Sequence, residues 1–356
     1  MPEHLRVEDA VEAPPHPAPT PSPARAGGAL QERLAWDALE YRIAPVANRL
    51  PYMLGGLTFF GILVLISTGI LLDQFYNPSP VGAHDSILYI MTRVPLGSWV
   101  RGLHYWAAAV VLVSMILHLI YVFWRRSYLR PRELTWWAGV LLFITLFGLV
   151  FTGTVLRADQ EGSEALAHAV AGARLVGPLG SLLTPDFTRS VPLLARMHNA
   201  HVSLLPLLLL GLVGLHFWLI RYLGIRAHEP RTVLFTTHLR RLTGYGLVLL
   251  AFLGGLAAFA TPGIGYPGIE GAEVTKPFWP FLWIYTVENT MGLWGMILAP
   301  LVLFGFLFLV PLLDRPRDEH AGRPRWLLGL AVLMLALYVG GIVYGVFAPQ
   351  MQHIGM

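Results

Sequence analysis

Residues 99 to 124 read WVRGLHYWAAAVVLVSMILHLIYVFW, and residues 192 to 222 read PLLARMHNAHVSLLPLLLLGLVGLHFWLIRY. Each run exceeds the roughly 20 residues that an apolar helix needs to cross a bilayer core. Each also carries two histidines: His104 and His118, fourteen residues apart, and His201 and His216, fifteen apart. Ionisable groups inside membrane spans are costly enough to be functional candidates by default. At about 1.5 Å rise per residue the two spacings give roughly 21 and 22 Å along a helix, both close to whole numbers of turns. Each helix therefore presents two imidazoles on about one face.

Working outward, further apolar runs lie near residues 51–73, 135–156, 242–260, 291–313 and 326–348. With the first two they make seven spans, A to G in chain order, the histidine pairs falling on B and D. The expected fold is an all-α integral membrane protein. Arginines cluster in the B–C, D–E and F–G connections, which should face the cytoplasm. That places the N-terminus inside, the C-terminus outside and the protein in the cytoplasmic (inner) membrane. Residues 1–30 are Pro/Ala-rich with no signal-peptide core and read as a disordered tail. Residues 31–48, QERLAWDALEYRIAPVAN, read as an amphipathic helix on the membrane surface.

Composition agrees. Of 356 residues, 55% are hydrophobic and only 13% charged, too apolar for a soluble domain of this length. The net charge of +4 rests on arginines and the single Lys276; it suits anionic headgroups and does not point to nucleic acid. The chain has no cysteine, which excludes disulfides, thiolate-held clusters and C-x-x-C-H haem attachment.

Spans B and D run in the same direction, so His104 and His201 share an outer depth and His118 and His216 an inner one. Opposed imidazoles are a natural axial pair for an electron-transfer haem. Taken singly, such a histidine could equally hydrogen-bond a neighbouring helix; four at matched depths favour two b-type haems. His198 competes with His201, but its eighteen-residue separation from His216 matches span B poorly. Gly55 and Gly69 on span A, and Gly139 and Gly153 on span C, repeat the fourteen-residue spacing. Glycine lets a flat ring approach a backbone closely; small-residue helix packing is the alternative for any one of them.

The stretches YMLGG and STG in span A, RGLH in span B, RPRELTWWAGV and FTG around span C, and RMHNAHVSLLP in span D resemble the cytochrome b family in its respiratory and b6-like forms. The resemblance runs from about Gln31 to the end. It implies a four-helix dihaem bundle over residues 31–228, followed by a three-helix part over 229–356 similar to the separate smaller subunit of the photosynthetic branch. By the same resemblance, His104 and His201 ligate the outer, lower-potential haem and His118 and His216 the inner one. Arg101 pairs with a propionate, although an arginine snorkelling to the interface is the plainer reading. The implied activity is oxidation of membrane quinol at the outer face. One electron goes to a Rieske iron–sulfur protein and on to a c-type cytochrome or similar acceptor, the other across both haems to an inner quinone site, in a homodimeric complex.

Three departures bear on that carry-over. Met53 stands where the photosynthetic branch has a cysteine for an extra haem, so no covalent haem is expected. The family's Pro-Glu-Trp-Tyr motif of the outer quinol site appears as Pro277, Phe278, Trp279 and Pro280. Its proton-accepting glutamate is missing, which leaves Glu288 as a substitute or escape of protons through water. Tyr121 replaces an arginine near the inner haem, with Arg125 or Arg126 as alternative propionate partners. Two rival readings are a dihaem anchor that moves electrons between quinone and a soluble dehydrogenase or reductase without bifurcation, and a scaffold that keeps haem for structure.

Overall fold

The computed structural model describes Arg33 and residues 39–227, 229–315 and 322–354. Arg42–Met356 form one compact unit and Met1–Tyr41 a separate one; the expected tail over 1–30 lies outside the described residues. Among the described residues, seven helices are long and apolar enough to cross a membrane. They are α1 (Leu50–Asp73, span A), α3 (Gly97–Trp124, B), α4 (Glu133–Val155, C), span D, α8 (Phe235–Phe259, E), α10 (Leu293–Leu313, F) and α11 (Arg325–Phe347, G). Short helices α2 (Ala83–Thr92), α5 (Gln160–Leu175) and α9 (Leu282–Met291) lie in the A–B, C–D and E–F connections.

Span D is not one continuous α-helix. It comprises α6 (Leu193–Asn199), a π turn over Ala200–Leu204 and α7 (Leu205–Leu223). Pro206 explains the break: it has no N–H for the carbonyl of Val202 and its ring crowds that carbonyl, so the preceding turn widens. Span E starts at Phe235, seven residues ahead of the apolar run, because FTTHLRR is polar yet helical. An apolar run marks the part in lipid rather than the ends of the helix.

The surface helix expected over residues 31–48 lies largely outside the described residues, which there are Arg33, itself helical, and residues 39–48. In the latter, Arg42–Ile43 pairs antiparallel with Val233–Leu234 as β1 and β2, and Pro45–Asn48 forms a 3-10 turn. The backbone there finds its partners across the chain, with the Val46 amide donating to Glu229 at 3.0 Å.

Span A packs along B and span C along D, and E lies against A and B. Span C buries 56% of its central window whereas the other six bury 11 to 28%, so C is the central helix and the rest present apolar faces to lipid. One hydrophobic core runs through Val111, Leu112, Phe143 and Leu146 of the B–C region to Trp283, Val310 and Tyr338 of the C-terminal helices.

A buried ion pair ties span F to the B–C connection. Asp314, 1% exposed, accepts from Arg126 Nε at 2.9 Å and from Arg126 at 2.5 Å on its other oxygen, and from the Tyr128 hydroxyl at 2.7 Å. Burial, with this bond behind it, pushes the Tyr128 hydroxyl up to about 12. Removing one partner of such a pair strands the other's charge, so Asp314→Ala should lower stability by about 3–5 kcal/mol. Thermal unfolding in detergent measures this, and an unchanged midpoint would show the pair to be solvated.

Candidate functional site: two histidine pairs

His104 and His201 face each other with ring centroids 6.4 Å apart and planes at 61°. Two imidazoles on one metal ion, each at a metal–nitrogen distance of about 2 Å, have centroids roughly 6 Å apart. The separation therefore fits a shared axial position.

Two threonines orient these rings. The Thr68 hydroxyl donates to the Val64 carbonyl at 2.7 Å and lies 2.9 Å from His104 Nδ1. Thr152 donates to the Gly148 carbonyl at 2.9 Å and lies 2.9 Å from His201 Nδ1. A hydroxyl has one proton. With that proton committed to the helix carbonyl, the oxygen accepts from Nδ1–H, and the neutral ring keeps its lone pair on Nε2. Second-contact partners of this kind fix the tautomer and orientation of metal-ligating histidines.

His118 and His216 form the second pair, about four turns further along spans B and D. Their Nδ1 atoms are buried without hydrogen-bond partners, and His216 faces the Thr135 backbone without completing a bond. The π turn reconciles the two spacings. It absorbs one additional residue in the turn that carries His201, so fifteen residues in D keep the register that fourteen give in B.

The four glycines meet the four histidines one to one. A Cβ on Gly69 would lie 3.4 Å from His104 and one on Gly153 3.0 Å from His201; on Gly55 it would lie 3.0 Å from His118, and on Gly139 3.5 Å from His216. The flat ring that each glycine admits is thus an imidazole. The Thr68-Gly69 and Thr152-Gly153 pairs combine an acceptor for Nδ1 with space for the same ring. The repeated dipeptide was the signal for the threonines, which spacing alone did not single out.

A cavity of about 470 Å³ opens beside the first pair. Its lining includes His104 and His201, Gly69 and Gly153, and also Arg101, Tyr105, Arg157, Phe278, His198 and Asp73. The walls are mostly aliphatic side chains of spans A to D.

The other candidate residues fall out as follows. His198 is set apart from the ligand set: its Nε2 lies 2.7 Å from Asp73 and its ring stacks on Tyr76. Arg101 lines the cavity, but its guanidinium donates to the Pro262 and Gly263 carbonyls at 2.5 and 3.1 Å. Arg125 is exposed at the end of span B, and Arg126 is engaged by Asp314 rather than turned to the second pair. Tyr121 packs edge-on to Tyr52, and Met53 is fully buried.

Phe278 packs against Tyr105 at 5.4 Å between centroids and against Trp279 at 6.0 Å. Pro277 precedes it, and Pro280 is buried in the 3-10 turn that leads into α9. Glu288 does not line the cavity. It is buried on α9, 3.6 Å from His168. Glu161 does lie by the motif: its carboxyl, pushed up by burial against the pull of Arg157, faces the Phe278 backbone from α5.

Seven apolar helices that hold two opposed histidine pairs at two depths define an electron-transfer protein of the membrane. A family model described as cytochrome b/b6/petB matches residues 40–224, and the chain belongs to that family. Membership implies b-type haem. The chain is 40% identical to the menaquinol:cytochrome c reductase cytochrome b subunit of Geobacillus thermodenitrificans over 49% of its own length and 80% of that protein. It is 34% identical to cytochrome b6 of Heliobacterium mobile, over 55% of this chain and 97% of that one. A solved structure titled hyperthermophilic respiratory Complex III covers 91% of this chain and 92% of its own, with TM-score 0.76 at 24% identity. That likeness of fold extends through spans E to G, which the family model does not reach.

Thr68→Val with Thr152→Val keeps side-chain shape and deletes both Nδ1 acceptors. Loss of such partners costs about 10- to 100-fold in metal affinity, so the double variant should retain less b-type haem per chain on purification. Retention equal to wild type would show that the hydroxyls do not orient the rings.

Proposed function

We propose that the chain, the cytochrome b subunit of a quinol:cytochrome c reductase-type complex, works by bifurcation. It takes electrons from membrane quinol at the outer face, sends one to a Rieske iron–sulfur protein that serves a c-type acceptor, and sends the other along its two histidine pairs to an inner quinone site. The observation that carries this reading is the pairing itself: two sets of imidazoles, each fitted to a glycine, stacked along the same two spans. Bound haem supplies reversible one-electron chemistry between two imidazoles. His104 and His201 would hold one haem through Nε2, and His118 and His216 the second. The arginine-rich connections support an outward position for the first pair, and homodimerisation belongs to the same proposal.

The remaining residues prepare a place for quinol. The E–F segment is held over the outer end by buried acids and amides of α5. Asp159 accepts from the Gly265 amide at 3.1 Å, Gln160 from Ile269 at 2.7 Å and Glu164 from Val274 at 2.7 Å. His84 meets the Gly265 carbonyl at 2.9 Å. These contacts hold the segment that brings Phe278 to the lining of the cavity, which also includes Asp73 and His198. Among the described residues, Asp73 is the carboxylate that lines this cavity, and its bond to His198 offers a route by which a proton taken at either group passes to the other. A general base acts only within hydrogen-bond reach of the proton it removes; the Asp73–His198 pair meets the cavity, whereas Glu288 does not.

A redox difference spectrum of the purified complex should show two b-type components, and quinol should reduce them in a manner sensitive to an outer-site inhibitor. A single component would refute the double pair. Inhibitor-insensitive reduction without a co-purifying Rieske protein would favour an anchor that passes electrons without bifurcation. Asp73→Asn should slow quinol oxidation by about 100-fold while leaving the spectrum intact; wild-type turnover in that variant would remove the pair from proton transfer.

A further inference from the structure

Away from the cavity, three side chains from three separate segments converge at the end of the molecule where α5, α9 and the C-terminal segment meet. His168 comes from α5, Glu288 from α9 and His353 from the segment after span G. Each offers one ligand atom, and the three atoms lie within 4.8 Å of one another.

Their bonding is incomplete in a specific way. His168 Nδ1 lies 2.8 Å from the Glu164 carbonyl, which as an acceptor requires a proton on that nitrogen. In the neutral ring the lone pair is then on Nε2, 3.6 Å from a Glu288 oxygen, too far for a hydrogen bond. That oxygen, Glu288 Oε1, is buried with no partner, and so are both ring nitrogens of His353.

The cluster is also held from behind. Glu273 accepts from the backbone amides of His353 and Ile354, both at 2.7 Å, and the Met351 amide donates to the Tyr285 hydroxyl at 3.1 Å. The His353 ring rests edge-on against Tyr285 at 5.7 Å and faces His168 at 5.9 Å. Buried polar atoms that converge without completing hydrogen bonds are electrostatically unfavourable until a cation or another partner joins them.

We propose that His168, Glu288 and His353 bind a divalent transition-metal ion of the zinc class, which clamps the C-terminal segment onto α5 and α9. Two imidazoles and one carboxylate are a zinc ligand set that leaves a fourth position for water. Tetrahedral zinc with bonds of about 2.0–2.1 Å separates its ligand atoms by about 3.3 Å, so the 3.6 Å between His168 and Glu288 closes with a small side-chain movement. Two imidazole nitrogens among three ligands disfavour the hard cations calcium and magnesium, which prefer oxygen cages. The clamp is independent of the haem ligands and of the quinol reading.

The test uses the complete complex, treated with chelator and then titrated with Zn²⁺ alone, with metal counted by mass spectrometry after dialysis. One zinc per chain should remain in wild type and be lost in His353→Ala and in His168→Gln, with b-haem spectra unchanged in both. Zinc absent from wild type, or retained equally by both variants, overturns the site. Should a variant fail to assemble, zinc-edge X-ray absorption of wild type decides: imidazole scattering supports the proposal, and an oxygen-only shell refutes it.

Discussion

An imidazole buried in a lipid-embedded bundle has two nitrogens to satisfy, and the bundle has no water to offer them. At His104 and His201 the solution is a threonine whose single proton is already committed to its own helix. The hydroxyl can then only accept at the ring, and the other nitrogen is left with a lone pair directed across the bundle. Much of the local sequence follows from this. Threonine must precede a glycine that makes room for the ring, the two pairs must sit on neighbouring helices, and the helices bearing the histidines must keep matched registers.

The register requirement accounts for the least regular feature of the fold. Span D has one residue more between its histidines than span B, which in an unbroken α-helix would turn its second imidazole by about 100° from the placement that fourteen residues give in span B. Pro206 withdraws one N–H from the helix ladder, the turn over Ala200–Leu204 widens, and the additional residue is accommodated there. A proline that would destabilise an ordinary helix is tolerated because the neighbouring helices hold the segment in place.

This also marks what was legible in the chain. Length and apolarity placed seven spans, and spacing singled out four histidines and four glycines, because period and rise are properties of any helix. Span E began earlier than its apolar run because Phe235–Arg241 carry no lipid signal, yet they continue the same helix. The partners of Arg101, Arg126 and Glu288 were hidden for a different reason. Each is set by a contact more than 100 residues distant along the chain: Arg101 with Pro262, Arg126 with Asp314, Glu288 with His168. The resemblance assigned Arg101 by position and left Arg126 and Glu288 as stand-ins where the family's own residues are missing, but a side chain's partner depends on which loop folds over it. Here the E–F loop, held by Asp159, Gln160 and Glu164, decides the surroundings of Arg101.

The two pairs are not equivalent, and the difference has a direction. Rings that donate Nδ1–H gain electron density at Nε2 and become stronger donors to a bound metal. Stronger donation would stabilise an oxidised iron over a reduced one, so a haem held by the threonine-bonded His104 and His201 would give up an electron more readily than one held by His118 and His216, whose Nδ1 atoms have no side-chain acceptor of this kind. Under the proposed function, electrons therefore run downhill from the pair beside the quinol cavity to the inner pair. The two threonines supply the asymmetry, since glycines, imidazoles and spans are otherwise repeated at both depths.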